Sequence, residues 1–166
     1  MAPDGQVYVA DTYNHRIEVF SGNGVFIGEW GGFGSEDGEF HYPHGVAVDS
    51  DGHVYFADSN NHRIQKFTRS GVFIAKWGME GTGSGQFNDP YGVAVDSMGN
   101  VFVGDANNHR VQKFTHDGEF VNQWGSYGSG IGQFLYANGV AVAANGDVYV
   151  ADNYNARIER FAANGN

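Results

Sequence analysis

The sequence predicts an all-β fold, a β-propeller built of four-stranded antiparallel blades, and three observations predict it. A cassette, Asp-x-x-Asn-His-Arg-hydrophobic, begins at Asp11, Asp58, Asp105 and Asp152, each 47 residues after the last, with Ala156 replacing the His in the fourth copy. Trp30, Trp77 and Trp124 keep the same interval, as do Gly45, Gly92 and Gly139. Each interval holds short apolar runs separated by turn residues and no helical period. Such a unit suits a propeller blade, because radial repetition buries both faces of each small sheet. A β-helix or leucine-rich solenoid has shorter repeats, and the Trp-Asp dipeptide of another propeller class is missing.

The elements follow in order. Val7 to Ala10 is an apolar run with counterparts at Val54 to Ala57, Val101 to Gly104 and Val148 to Ala151, the pattern of strands buried on both faces. A short Asp-x-x-Asn turn leads into a second strand, Arg16 to Phe20. A glycine-containing turn at 21–24 leads into a third, Val25 to Trp30. Gly31 to His44 is long for a connection and rich in Gly, Ser and acidic residues, which reads as a surface loop crossing to the next unit. Gly45 to Asp49 is the fourth strand type, and Ser50, Asp51 and Gly52 turn the chain back into Val54.

In propeller order, with strand a innermost, residues 1–166 encode one partial propeller domain of about 3.5 blades. Residues 1–44 supply strands b-c-d, 45–91 and 92–138 are complete blades, and 139–166 supply strands a-b-c. An arc of this kind leaves blade faces wet and edges exposed at both ends. The expectation is a homo-oligomer, most simply a dimer that closes a ring of six or eight blades. The alternative is a piece of a longer propeller.

Composition narrows the function classes. With 41% hydrophobic, 15% aromatic and 17% charged residues the chain is globular rather than disordered. The absence of cysteine removes disulfides, thiolate zinc sites and cysteine nucleophiles. No apolar run approaches the roughly 18 residues of a membrane helix, so no membrane partner is expected. Met1 precedes a turn and a strand, with no charged-then-apolar leader. The net charge of −10, with the nine basic residues in or near strands c and d of each repeat, opposes nucleic-acid binding.

The internal copies act as a control: residues repeated in every blade serve the fold, and function is sought where equivalent positions differ. The pairs Asp11 and Arg16, Asp58 and Arg63, Asp105 and Arg110, and Asp152 and Arg157 are expected to clamp each hairpin. The Asp would accept from the backbone of its turn and from the Arg that starts the next strand. His15, His62 and His109 invite a metal reading, but equivalent positions in successive blades fan apart, and each is expected to pack over its own turn.

The turns after strand b and the crossovers into strand a should share one face. Just before the strand-a glycine the copies read His44, Tyr91 and Asn138; two residues earlier they read Tyr42, Asp89 and Tyr136; one earlier still, His41, Asn88 and Leu135. The candidate ligand-binding face is therefore His41, Tyr42, His44, Asn88, Asp89, Tyr91, Tyr136 and Asn138, varied groups able to stack and hydrogen-bond. Glu36, Asp37 and Glu39 add carboxylates to the first crossover and are equally explained as a solvated loop. No nucleophile elbow, phosphate-binding loop or His-Glu-x-x-His motif is present, and no catalytic residue is assigned.

The runs Gly-Val-Ala-Val-Asp, Gly-x-Val-Tyr-x-Ala-Asp, Asn-His-Arg-Ile-x-x-Phe, Trp-Gly and Pro-x-Gly together resemble the NHL repeat family over essentially the whole chain. That resemblance implies a propeller, commonly six-bladed. It also implies a rival to a binding role, because NHL-like propellers include peptidyl-amidoglycolate lyases, whose metal is held by histidines from different blades. His44 is similar in placement and is a weak metal candidate; Tyr91 and Asn138 occupy the equivalent positions, so one chain does not assemble a three-histidine set. Some NHL propellers bind single-stranded RNA on a positive face, whereas the loops here carry almost no Lys or Arg.

The expected function is a non-catalytic binding or scaffold module, without cofactor, that self-assembles and presents its variable face to a protein, peptide or glycan. A metal-dependent lyase or hydrolase is one alternative. A designed or recently amplified repeat fragment, whose function is assembly alone, is the other.

Overall fold

The computed structural model describes residues 5–166, which form four antiparallel sheets. The first holds β1 (Val7–Asp11), β2 (Arg16–Phe20) and β3 (Phe26–Gly31); the second holds β4 (Pro43–Val48), β5 (Val54–Asp58), β6 (Arg63–Phe67) and β7 (Phe73–Trp77). The third holds β8 (Pro90–Val95), β9 (Val101–Asp105), β10 (Arg110–Phe114) and β11 (Phe120–Trp124). The fourth holds β12 (Ala137–Val142), β13 (Val148–Asp152) and β14 (Arg157–Phe161). Within each sheet sequence order is spatial order, as hairpin succession requires. Among the described residues no helix is long and apolar enough to cross a membrane.

Side chains alternate across each strand, and both sets are apolar in the middle blades. Tyr8, Ile17 and Val19 of the first sheet pack on Val54, Phe56 and Phe67 of the second. Tyr55, Ala57 and Ile64 on its other face meet Val101, Val103 and Phe114 of the third. Phe102 and Val111 then meet Val148, Val150 and Phe161 of the fourth. The core is thus three layers between neighbouring blades, which is why β5, β6 and β9 are buried along their whole length. Among the described residues the first and last sheets each leave one face uncovered.

Strands β4, β8 and β12 lie side by side as the innermost elements. A Cβ on Gly45 would stand 2.4 Å from the Tyr91 carbonyl oxygen, and one on Gly92 the same distance from that of Asn138, so close approach requires glycine here. These strands begin earlier than Gly45: Pro43 already pairs with Asp58, and the register slips between Pro43 and Val46. A bulge at this point extends the strand while bending it.

The crossover expected as a surface loop is partly core. Phe40, Phe87 and Phe134 are fully buried, and a short parallel bridge joins Phe33 to Phe40. The loop closes on itself because Gly31, at φ +98°, lets the Phe40 ring come within 2.6 Å of where a Cβ would be.

Candidate binding face

The cassette makes a single 3₁₀ turn, such as Ser59–Asn61, closed by a histidine in the left-handed region: φ is 55° at His15, 52° at His62 and 55° at His109, with Ala156 at 51°. Left-handed backbone is costly for such residues, and a side-chain bond helps to hold it. His15 Nδ1 accepts the Tyr42 N–H at 3.1 Å and His62 Nδ1 accepts the Asp89 N–H at 3.3 Å. His109 Nδ1 instead lies 2.9 Å from the Leu135 carbonyl oxygen, to which it donates. Each imidazole therefore ties its turn to the crossover beside it. Among the described residues no group of three or more His, Asp or Glu side chains is placed to hold a metal ion.

The repeated Asp and Arg do more than join two strands. Asp58 was expected to accept from its own turn's backbone, but it makes no such cap bond. It accepts the His41 N–H at 2.7 Å, Arg63 Nε at 2.7 Å, Asn61 Nδ2 at 2.9 Å and Gln65 Nε2 at 3.0 Å. Arg63 spends its other donors on the carbonyls of Ser35, Glu36 and Glu39. The group staples the incoming crossover to the blade, because the Asp side chain points toward the preceding blade, where the crossover descends.

Asp105 with Arg110, and Asp152 with Arg157, repeat the staple on the next two crossovers. Asp11 and Arg16 do not: Arg16 pairs with Asp11 at 2.9 Å, Glu18 at 2.7 Å and Glu29 at 2.8 Å. Burial is the largest influence on both Asp105 and Asp152. It raises Asp105 above the ordinary carboxyl value, whereas bonds from Asn155, the Leu135 N–H and Arg157 outweigh it and hold Asp152 below. Asp11 is held low by Asn14 and then Arg16.

The turns and crossovers share one face: the Ser59 and Asn60 N–H groups donate to the Tyr42 and His41 carbonyls. Six of the eight candidate residues fall on it in two groups. His41 and Tyr42 pack with His15, and Phe33 and Tyr13 complete that cluster at ring separations of 5.1 to 5.7 Å. The second group centres on Tyr91, whose ring stacks on His44 at 4.0 Å and meets Tyr136 edge-on at 6.3 Å. Tyr136 donates its hydroxyl to Asp89 at 2.6 Å. Burial and this bond push the Tyr136 hydroxyl well above its ordinary value, and burial holds His44 below its own, with Asp89 opposing.

Asn88 joins neither group: its N–H donates to Asp105 and its side-chain oxygen accepts from Asn107. Asn138 lines an open groove of about 440 Å³ with Thr12, His44, Tyr91 and the strand-a glycines. Four exposed aromatics on this face were not singled out from the sequence: Tyr13, Phe33, Tyr127 and Tyr154, between 68% and 83% exposed. Their equivalents vary as the chosen positions do, Asn60 and Asn107 for the tyrosines at 13 and 154, and Glu80 between Phe33 and Tyr127, so the same signal was present. Arg63 and Arg110 are buried in their staples. The face offers aromatic rings, amides and carboxylates for stacking and hydrogen bonding.

Four antiparallel sheets, the last three with their first strands side by side at the inside, define a β-propeller arc. The NHL repeat profile matches residues 1–20, 40–67, 87–114 and 134–161, more than half the chain, and the chain belongs to the NHL repeat family. No curated protein matches it in sequence. Among solved structures it is similar in fold to a nidogen/laminin complex (TM-score 0.71, 20% identity, covering 99% of this chain and 58% of that one). It is likewise similar to a streptogramin B lyase (0.69, 18%, 97% and 52%) and to virginiamycin B lyase from Staphylococcus aureus (0.67, 17%, 97% and 53%). The chain thus spans a little over half the length of these structures.

Proposed function

We propose that this NHL arc is a non-catalytic binding module that self-associates and presents its turn-and-crossover face to a protein, peptide or glycan. The observation that carries the reading is the pair of aromatic clusters on that face, each set on stapled backbone. Large aromatics exposed together on a rigid scaffold are the usual anchors of recognition. The nidogen/laminin neighbour, by its name a complex of two proteins, supports the reading by analogy of fold.

Peptide-display and glycan-array screens of the wild type against a Tyr13→Ala/Phe33→Ala variant of the first cluster, and against Tyr154→Ala, whose ring lies 5.4 Å from Tyr136 of the second, test it. All three side chains are at least 68% exposed, so the variants keep their fold. A binder lost on either substitution supports the reading. Binders that ignore both, or none at all, sink the face assignment. Light scattering over a concentration series tests self-association.

A metal-dependent lyase is the second reading, favoured by fold similarity to streptogramin B lyase and by His44 in the central groove. A bound divalent metal that disappears in His44→Ala would support it.

A further inference from the structure

We infer that the two uncovered blade faces are halves of one more inter-blade interface, and that a second copy docks head to tail, its first sheet against the fourth sheet of its neighbour. The inference rests on the self-association proposed above and specifies its faces and register.

The internal interfaces are the template. Ile158, on the outer face of the fourth sheet, is 65% exposed, yet its counterparts Ile17, Ile64 and Val111 are fully buried. Tyr149 is 38% exposed, against none for Tyr55 and Phe102. On the outer face of the first sheet Val9 is 38% exposed, whereas Phe56, Val103 and Val150 are fully buried. Residue type is kept at the ends and only the neighbour is absent. Strands β1 and β13 even share the sequence Val-Tyr-Val-Ala-Asp.

A basic side chain repeats the argument. Lys66 Nζ crosses to the next blade and donates to the His116 carbonyl at 3.0 Å, and Lys113 Nζ reaches toward Ala163 in the same way at 3.4 Å. Each lies over the ring opposite it in the sheet, Tyr55 or Phe102. Arg160 occupies the third such position, opposite Tyr149, with a 68% exposed side chain and a loose ion pair to Asp147 at 3.7 Å. The repeat register assigns it the Gly22 carbonyl of the docked copy.

The junction is thinner than an internal interface. Gly71, Gly118 and Gly165 each lie beneath a tryptophan of the preceding sheet, whereas among the described residues nothing stands within 4 Å of a Cβ on Gly24. Among the described residues the fourth sheet has three strands, so none supplies that ring, and no crossover fills the Arg16 staple. Association is therefore weaker than blade-to-blade packing and depends on concentration. Because the two faces differ, it leads to a closed ring or an open chain and not to a self-complementary pair.

Cysteine is absent, so Arg160→Cys and Asn23→Cys each introduce a single thiol, the latter beside Gly22. A short bis-maleimide should link the two variants when mixed and leave each unlinked alone. Ile158→Glu, an exposed site, should weaken association about tenfold or more while leaving the melting of the dilute, dissociated chain unchanged. Linkage of Arg160→Cys to itself would mean a self-complementary interface and overturn the inference. Undiminished association of Ile158→Glu, with no linkage in the mixture, would place the contact elsewhere; the head-to-tail inference would fall and self-association would stand. A monomer at every concentration would remove both.

Discussion

Asp58→Ala is the substitution that separates what a repeated residue does inside the arc from what it does at the end. The wild-type carboxylate is fully buried and accepts four bonds of 2.7 to 3.0 Å. Alanine leaves the Arg63 guanidinium, itself 7% exposed, without its counter-ion and the His41 N–H without an acceptor. Removing one partner of a buried pair costs about 3–5 kcal/mol. Arg63 keeps three carbonyl acceptors, which sets the expectation near the lower end and a fall in melting temperature of roughly 10 °C for a chain of this size.

Asp11→Ala removes the same residue from the same cassette, but its side chain is 24% exposed, Arg16 is 34% exposed, and Glu18 and Glu29 remain beside the guanidinium. Its effect should be far smaller, since solvent-exposed ion pairs contribute little. Paired thermal melts followed by circular dichroism provide the assay, with Asp58→Asn expected to fall between. Equal losses at positions 11 and 58, or none at 58, would refute the claim that the staple acts by holding a crossover.

Further outcomes follow from the same geometry. Gly92→Ala should sharply destabilise the arc, because the new Cβ meets the Asn138 carbonyl at 2.4 Å, while Gly139→Ala, whose Cβ has only Ala151 at 3.6 Å, should melt near wild type. Asp11, Asp49 and Asp152 are held below their ordinary values, Asp49 because bonds from His53 and Tyr55 outweigh its burial. A depressed folded value means stability that is full above the unfolded value, about pH 4, and is lost as pH falls through the folded ones. Chemical denaturation midpoints should therefore drop steeply below about pH 4, with Asp105, which burial raises, working in the opposite sense. His44, held low by burial, should withdraw a further increment below its unfolded value, about pH 6.5, and that increment should vanish in His44→Phe.

The candidate face was legible only in part, for a specific reason. Comparing copies isolates positions that vary, and His44, Tyr91, Asp89 and Tyr136 do come together through a stack and a hydrogen bond. The comparison does not say which varying positions share a neighbourhood. His41 and Tyr42 belong to a separate cluster with Phe33 of the same crossover and Tyr13 of the preceding blade's turn, and Tyr13 lies 28 and 29 residues before them in sequence. The staple was half visible for the same reason: Asp58 and Arg63 are five residues apart, while the Ser35 carbonyl they help to hold is 28 away from the arginine.

Periodicity alone determined the blades. A spacing of 47 residues, apolar runs without alternation and glycine-marked turns leave few arrangements other than small sheets buried on both faces. Tertiary structure decided how those sheets are joined: the buried phenylalanine in each crossover, the carboxylate that receives it, and the exposure of Ile158 and Val9 where Ile64 and Phe56 are buried. Identical or equivalent residues differ there because burial belongs to the neighbour a side chain meets across a blade interface, and a repeat writes the residue without writing the neighbour.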